Sequence, residues 1–216
     1  DDFIPLAEHT GLIKPLTLWV LNAALVQLRA WRQSGLQVPV AVNLSMLNLH
    51  DPQLLDVVAG LLDRYGVPAG ELTLELTESH LMADPERSLD TLARLRAMGI
   101  RLAVDDFGTG YSSLTYLKRL PVNELKIDRS FVGQLVTEEN DAAIVRSTIN
   151  LGHDLGLCIV AEGVEDKATR DLLRTLECDT VQGYYISRPL PVAEITRWIH
   201  GVPSGRIRPG GLGIAA

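Results

Sequence analysis

The sequence predicts an α/β fold in which parallel strands are covered by helices. Short apolar runs alternate with amphipathic helical patterns six times along the 216 residues, and this alternation is typical of parallel sheets. No Gly-x-Gly-x-x-Gly turn follows the first apolar run, which disfavours a dinucleotide-binding sheet. The alternative is a closed β/α barrel of the TIM type.

The predicted strands are short runs of apolar and β-branched residues that are bounded by turn residues. Several of them end directly in acidic or amide side chains, which is unusual for a buried strand. The six predicted strands are Val38–Leu44, Leu72–Leu76, Ile100–Val104, Glu124–Ile127, Leu157–Ala161 and Thr180–Gly183.

The helices are predicted from apolar stripes and from the residues that begin and end them. Leu18, Leu21, Leu25 and Leu28 form one stripe of a helix of about five turns. Asp-Pro pairs mark helix starts and glycines mark helix ends. Helices are predicted at Asp2–His9, Pro15 to Gly35, Asp51 to Gly66, Asp84 to Met98, Ser113–Lys118, Asn140–Leu155, Asp166–Leu176 and Pro191–His200.

Composition excludes several classes of function. The net charge of −7 argues against binding to a nucleic-acid polymer, which needs a basic face, and an anionic substrate would need bridging cations. No apolar run approaches the roughly 18 residues of a membrane span, so no membrane contact is expected from this domain. Cys158 and Cys178 lack metal-type spacing, and we expect reduced, buried thiols in a cytoplasmic domain.

Polar side chains recur at the C-terminal ends of the predicted strands, where β/α barrels carry their chemistry. Side chains alternate along a strand, so Leu72, Leu74 and Leu76 face the helices while Glu75 faces the barrel axis. The same alternation places one polar residue of each strand on the inner side. These six residues are Asn43, Glu75, Asp105, Lys126, Glu162 and Gln182.

The types of these residues predict metal-assisted hydrolysis of a phosphodiester. Asn43, Glu75 and Asp105 are hard oxygen ligands for a divalent cation, and Asp106 could reach a second ion with Asp105 bridging the two. Two metals about 4 Å apart suit cleavage of a phosphodiester. Lys126 and Glu162 would then act on the attacking water, Glu162 as a general base or a further ligand. An enolase-like metal barrel with Lys126 as the base is an alternative.

Seven motifs in order closely resemble the EAL-domain family of bacterial cyclic-di-GMP phosphodiesterases. The resemblance covers nearly everything from Asp2 to His200. The motifs are DFIPLAE (2–8), VNLS (42–45), LELTES (74–79), DDFGTGYSSL (105–114), LKIDRSFV (125–132), AEGVE (161–165) and VQGYYISRPL (181–190).

The resemblance implies a β/α barrel that uses two magnesium or manganese ions to cut cyclic di-GMP to linear pGpG. It implies metal ligation by Asn43, Glu75, Asp105 and Asp106, and catalysis by Lys126 and Glu162. It also implies substrate contacts from Gln182, Asp128 and Pro189, and a role for Glu78 in bracing the loop after the aspartate pair. A homodimer and an upstream sensor or diguanylate cyclase domain are expected, and the full-length protein could be tethered to a membrane.

One departure from the family is the absence of its Glu-Ala-Leu motif, which supplies a further metal ligand. Six strands are predicted, whereas a closed barrel has eight. We therefore expect residues 1–202 to be an EAL-type domain that lacks the first two strands, with open edges at Val38–Leu44 and Thr180–Gly183. We expect residues 203–216 to form a flexible tail. A fragment without that ligand could be inactive, and a non-catalytic cyclic-di-GMP-binding or regulatory module is the alternative function.

Overall fold

The computed structural model describes residues 3–83, 85–110, 114–201 and 213–215. The chain divides into two compact units. The first unit runs to Val104 and resumes at Gly110–Asn123, and the second comprises Asp105–Thr109 and everything from Glu124 onwards. One strand therefore passes from the first unit to the second between Val104 and Asp105.

The predicted strands are present, and all observed pairings are parallel, as an α/β fold of this class requires. A seventh strand was not predicted. The strands are β1 (Val40–Asn43), β2 (Leu72–Thr77), β3 (Arg101–Phe107), β4 (Glu124–Ile127), β5 (Cys158–Ala161), β6 (Thr180–Gln182) and β7 (Gly213–Ala215).

Helices follow the strands as predicted, but α3, α5 and α8 are short helices that the periodicity did not predict. A 3₁₀ turn at Ala69–Glu71 leads into β2. The helices are α1 (Ile4–His9), α2 (Ile13–Gln33), α3 (Met46–Leu49), α4 (Leu54–Tyr65), α5 (Glu78–Ala83), α6 (Pro85–Ala97), α7 (Leu114–Leu117), α8 (Arg129–Val132), α9 (Glu139–Asp154), α10 (Lys167–Thr175) and α11 (Val192–Gly201).

In the first unit, β1 and β2 present their polar residues on one face. Asn43 lies opposite Glu75 in the parallel register, so both side chains leave the same side of the sheet at the C-terminal ends of the strands. Leu72, Leu74 and Leu76 are fully buried on the other side. The alternation that the sequence predicts for β2 is therefore confirmed.

The buried stripe of α2 differs from the predicted one at Leu18, which is 42% exposed. The stripe instead begins at Ile13 and Thr17, both buried. The hydroxyl of Thr17 donates a hydrogen bond to Asn48 Oδ1 over 3.1 Å, and this bond stabilises a polar side chain inside the unit. The hydrogen-bonded Thr17 thus takes the buried place that was predicted for Leu18. A prediction that counts only apolar residues cannot detect a buried threonine.

The start of α4 also differs from the prediction. Asp51 was expected to cap this helix, but α4 begins only at Leu54, with Gln53 at the N-cap and no side-chain cap bond. Asp51 accepts the backbone N–H of Gln53 and forms an ion pair with Lys14 instead. Asp166 is the N-cap of α10, because its carboxylate accepts the N–H of Thr169 over 2.8 Å.

In the second unit, β4, β5, β6 and β7 lie side by side in that order. β7 pairs with β6 from Thr180 opposite Gly213 to Gln182 opposite Ala215. The open edge expected at Thr180–Gly183 is therefore covered by residues that the sequence placed in a flexible tail. Residues 203–212 and 216 of that tail lie outside the described residues, and the domain boundary after residue 202 stays a prediction.

Both cysteines are free thiols. Cys178 is buried as predicted, and burial raises the pKa of its thiol to about 12, whereas Cys158 is partly exposed. Within the part of the chain that the structure describes, no helix has the length and apolar character needed to cross a bilayer.

Two helical glycines provide a matched test of packing in this fold. A Cβ at Gly152 of α9 would lie 2.1 Å from Cδ1 of the fully buried Ile159, whereas a Cβ at Gly60 of α4 would meet nothing within 4 Å. We expect Gly152→Ala to lower the free energy of unfolding by about 1–3 kcal/mol through overpacking. Gly60→Ala should raise it by up to about 1 kcal/mol through helix propensity. Urea unfolding of both variants measures this, and equal effects would contradict the packing of α9 on β5.

Candidate active site

A lysine and two carboxylates form a connected cluster at the C-terminal ends of three strands in the second unit. Lys126 of β4 is only 4% exposed. Its Nζ lies 2.9 Å from Asp105 Oδ1 on β3 and 2.7 Å from Glu162 Oε1, directly after β5. The structure therefore brings together three of the residues whose inward orientation the sequence predicted.

The backbone fixes both carboxylates of this cluster. The N–H of Glu162 donates to the carbonyl of Ile127 over 3.1 Å, which continues the pairing of β4 with β5 by one residue. The aspartate pair lies within β3, which continues to Phe107, whereas the sequence predicted a strand that ends at Val104. Adjacent side chains point to opposite faces of a strand. Two consecutive aspartates therefore break the pattern of alternating apolar and polar residues from which the end of a strand is predicted.

Asp106 has left-handed backbone geometry, with φ of 54°, which is uncommon for a residue other than glycine. Its N–H donates to its neighbour Asp105 Oδ1 over 3.1 Å. Its carbonyl accepts the N–H of Thr109 over 3.3 Å and the hydroxyl of Thr109 over 2.9 Å. The turn is thus closed by its own residues and holds Asp105 and Asp106 in different orientations.

The cluster carries more negative charge than its lysine can balance. Burial raises the pKa of Glu162, the charges of Asp105 and Asp106 raise it further, and Lys126 only partly opposes this rise. Burial also raises the pKa of Asp106, with further contributions from the charges of Asp105 and Asp128. One carboxylate oxygen each from Asp105, Asp106 and Glu162 lies within 4.8 Å of the others. Hard oxygens at this spacing, with excess negative charge, are suited to a divalent cation.

Asp128, a predicted substrate contact, has a structural role as the N-cap of α8. Its carboxylate accepts the N–H of Ser130 over 2.9 Å and also accepts the hydroxyl of Ser130. Burial raises the pKa of Asp128, but the bonds from Ser130 and the charge of Arg129 outweigh burial and leave the pKa below its ordinary value. Whether Asp128 also contacts substrate stays a prediction.

In the first unit, Asn43 is the last residue of β1 and is exposed. Glu75 of β2 lies opposite it and is partly buried. Glu78 follows β2 and is only 1% exposed. Its Oε1 lies so close to Gly110 that a Cβ added at Gly110 would be 3.0 Å from this oxygen. Glu78 therefore packs against the segment after the aspartate pair, where the resemblance expects a bracing residue. The bracing role itself stays a prediction.

Gln182 ends β6, and its carbonyl accepts the N–H of Val164, two residues after Glu162, over 3.0 Å. Pro189 is exposed on the segment that follows. The sequence did not single out Gly183, where a Cβ would lie 2.3 Å from backbone atoms of Val164. Only a glycine allows the segment after β6 to lie against the loop of Glu162. Gly183 directly follows Gln182, the polar residue that ends β6, and this position is the signal from which its role could have been predicted.

Comparisons with known proteins agree on one family. The family model described as EAL domain matches residues 1–189. MucR of Pseudomonas aeruginosa, a bifunctional diguanylate cyclase/cyclic di-GMP phosphodiesterase, is 47% identical over 194 residues, covering 89% of this chain and 28% of MucR. NbdA of the same organism, a cyclic di-GMP phosphodiesterase, is 43% identical over 200 residues, covering 92% of this chain and 26% of NbdA. The chain therefore spans about a quarter of the length of these curated relatives.

Solved structures give the same result. The PaMucR phosphodiesterase in its c-di-GMP complex matches with a TM-score of 0.87 at 47% identity, over 90% of this chain and 79% of that chain. The EAL domain of Mycobacterium smegmatis DcpA matches with a TM-score of 0.85 at 39% identity, over 89% of this chain and 88% of that chain. The TIM-type α/β fold predicted from the sequence is confirmed.

The ion pairs of Lys126 can be tested by removing its charge. Lys126→Met keeps the length of the side chain but leaves two partly buried carboxylates without a cation, so we expect a loss of about 3–5 kcal/mol in the free energy of unfolding. Lys118→Met makes the same change at an exposed position and should stay within about 0.5 kcal/mol of the parent chain. Urea unfolding without added metal measures both. Equal effects of the two substitutions would contradict the described cluster.

Proposed function

Because the chain belongs to the EAL domain family, we propose that it is a phosphodiesterase domain that hydrolyses cyclic di-GMP to linear pGpG with magnesium or manganese. The observation that carries this proposal is the contact of one buried lysine with two carboxylates beside a third. The names of MucR and NbdA support the same activity, since both relatives are cyclic di-GMP phosphodiesterases.

The donor groups fit a divalent metal. In the second unit, Asp105, Asp106 and Glu162 offer three carboxylates to the single positive charge of Lys126. In the first unit, Asn43 and Glu75 offer an amide and a carboxylate at neighbouring strand ends. As the family resemblance implies, we propose that Asn43, Glu75, Asp105 and Asp106 are metal ligands. Such ions, when bound, would polarise the phosphodiester and make a nearby water more acidic.

Glu162 is the residue that takes the proton from the attacking water. Its pKa is raised by burial, and a base whose pKa lies closer to neutrality accepts a proton more readily. Lys126 holds the carboxylate of Glu162 through a bond of 2.7 Å and holds Asp105 through a second bond of 2.9 Å. The same ammonium keeps the two carboxylates from repelling each other and stabilises negative charge as it develops on the phosphate.

An anionic substrate constrains the site further. Cyclic di-GMP carries two phosphates, and the excess of carboxylates over lysine in the cluster would repel it unless cations bind first. Gln182, Asp128 and Pro189 are proposed to contact the nucleotide, as the family resemblance implies. The structure of PaMucR with c-di-GMP supports the choice of ligand.

The regulatory context follows from the relatives. MucR is named as both a diguanylate cyclase and a phosphodiesterase, and its matching part is 28% of its length. We propose that this domain likewise acts within a larger signalling protein that includes a sensor or diguanylate cyclase domain. We also propose a homodimer, as the resemblance implies.

A second candidate is a domain that binds cyclic di-GMP without cleaving it. The presence of Lys126 and Glu162 in a paired arrangement favours catalysis instead. Binding of cyclic di-GMP with no pGpG formed in either magnesium or manganese would select the second candidate.

Glu162→Gln tests the proposed base. The amide keeps the shape of the side chain but cannot accept the proton, so we expect kcat to fall on the order of a hundredfold or more. Glu139→Gln makes the same change on the exposed surface of α9 and should leave kcat unaltered. Both variants are compared in the protein at its natural length, with pGpG separated by chromatography. A rate close to wild type for Glu162→Gln would show that another group takes the proton.

A further inference from the structure

We propose that the four-residue helix α8 is the common support of the two loops that carry the catalytic carboxylates, with Phe131 and Gly108 as its main positioning contact. The effect on catalysis rests on the proposed function, whereas the contacts of α8 are observed independently of it. All the residues concerned belong to the second unit.

The first contact joins α8 to the turn that follows the aspartate pair. A Cβ at Gly108 would lie 2.8 Å from Cε2 and 3.3 Å from Cζ of Phe131, so the backbone of this turn lies in close contact with the ring. Gly108 also has φ of 102°, which side chains rarely adopt. The hydroxyl of Thr109 donates to the carbonyl of Asp106 within the turn, and the ring of Phe131 contacts the turn at Gly108. Asp106 and Asp105 lie two and three residues before Gly108.

The second contact joins α8 to the loop of Glu162. A Cβ at Gly163 would lie 2.4 Å from Cβ and 3.2 Å from Cα of Arg129, the first residue of α8. The backbone of the Glu162 loop is thus as close to α8 as a glycine permits. Gly163 has φ of 70°, so this approach also depends on the left-handed conformation.

The third connection is covalent and runs back to the lysine. α8 follows β4 after only Asp128, whose carboxylate caps the helix through the N–H of Ser130. Lys126 is therefore two residues before the capping residue Asp128 and five residues before Phe131. One rigid element thus connects the lysine, the aspartate pair and the glutamate.

Close packing explains why such a support affects chemistry. Contacts at van der Waals distance transmit small displacements because protein interiors contain few voids. Residues that orient metal ligands from outside typically change metal affinity or activity 10- to 100-fold when they are lost. Removing the ring of Phe131 would leave the turn at Gly108 without its outer contact. The positions of Asp105 and Asp106 would then depend on the bonds within the turn and on the ion pair between Asp105 and Lys126.

The test compares Phe131→Ala with Leu173→Ala, which removes a fully buried side chain from α10 that takes no part in these contacts. We expect Phe131→Ala to weaken Mn²⁺ binding about 10- to 100-fold and to lower kcat more than it changes KM. Leu173→Ala should lower the urea midpoint but leave Mn²⁺ affinity unaltered. Phe131→Leu, whose side chain still reaches Gly108, should recover part of the affinity. Equal Mn²⁺ affinities in the Phe131→Ala and Leu173→Ala variants would overturn the proposal.

Amide hydrogen exchange of the chain without metal separates this proposal from the proposed function. We expect Phe131→Ala to speed exchange at residues 105–109 and 162–163, and Leu173→Ala to leave these amides as in wild type. If the wild-type protein neither binds Mn²⁺ nor cleaves cyclic di-GMP, the proposed function fails, and the exchange data alone decide whether α8 supports both loops. Wild-type exchange at residues 105–109 in Phe131→Ala would overturn the proposal in either case.

Discussion

The candidate site depends on a single buried ammonium group placed between two carboxylates. Lys126 contacts Asp105 and Glu162 at 2.9 and 2.7 Å, and the three residues lie at or near the C-terminal ends of β4, β3 and β5. Burying an unpaired ion costs several kcal/mol, so each member of this cluster depends on the others. Asp106 adds a further negative charge within 4.8 Å of Asp105 and Glu162. The arrangement is therefore stable enough to fold, yet it retains an excess of negative charge that a divalent cation would neutralise.

Glycines set how closely the loops around this cluster can approach one another. Gly108, Gly163 and Gly183 each occupy a place where a Cβ would collide with a neighbouring segment. The first two lie against α8, and the third lies against Val164 beside the glutamate loop. These contacts limit the movement of the loop backbones, and Lys126 binds the carboxylates of Asp105 and Glu162. Precise positioning of acid, base and ligands is what such a site needs, since small displacements of reacting groups reduce rates strongly.

Much of the fold and of the candidate site could be predicted from the sequence because alternation and strand ends are local properties. The inward orientation of Glu75 follows from the three leucines around it, and the pairing of Lys126 follows from its place one residue before the end of β4. Features that depend on tertiary contacts could not be predicted in this way. Thr17 is buried because Asn48 accepts its hydroxyl, α8 exists because Asp128 caps it, and β7 forms beside β6 although its three residues carry no periodicity.

The proposed function requires a cation at Asp105 and Asp106, beside Lys126 and Glu162. Paramagnetic broadening by Mn²⁺ in an NMR spectrum of the assigned chain tests it most directly, because the effect falls steeply with distance from the ion. We expect substoichiometric Mn²⁺ to broaden the signals of Asp105, Asp106, Lys126 and Glu162 first, and an excess of Mg²⁺ to restore them. Broadening that begins elsewhere in the second unit and leaves these four residues sharp would contradict it.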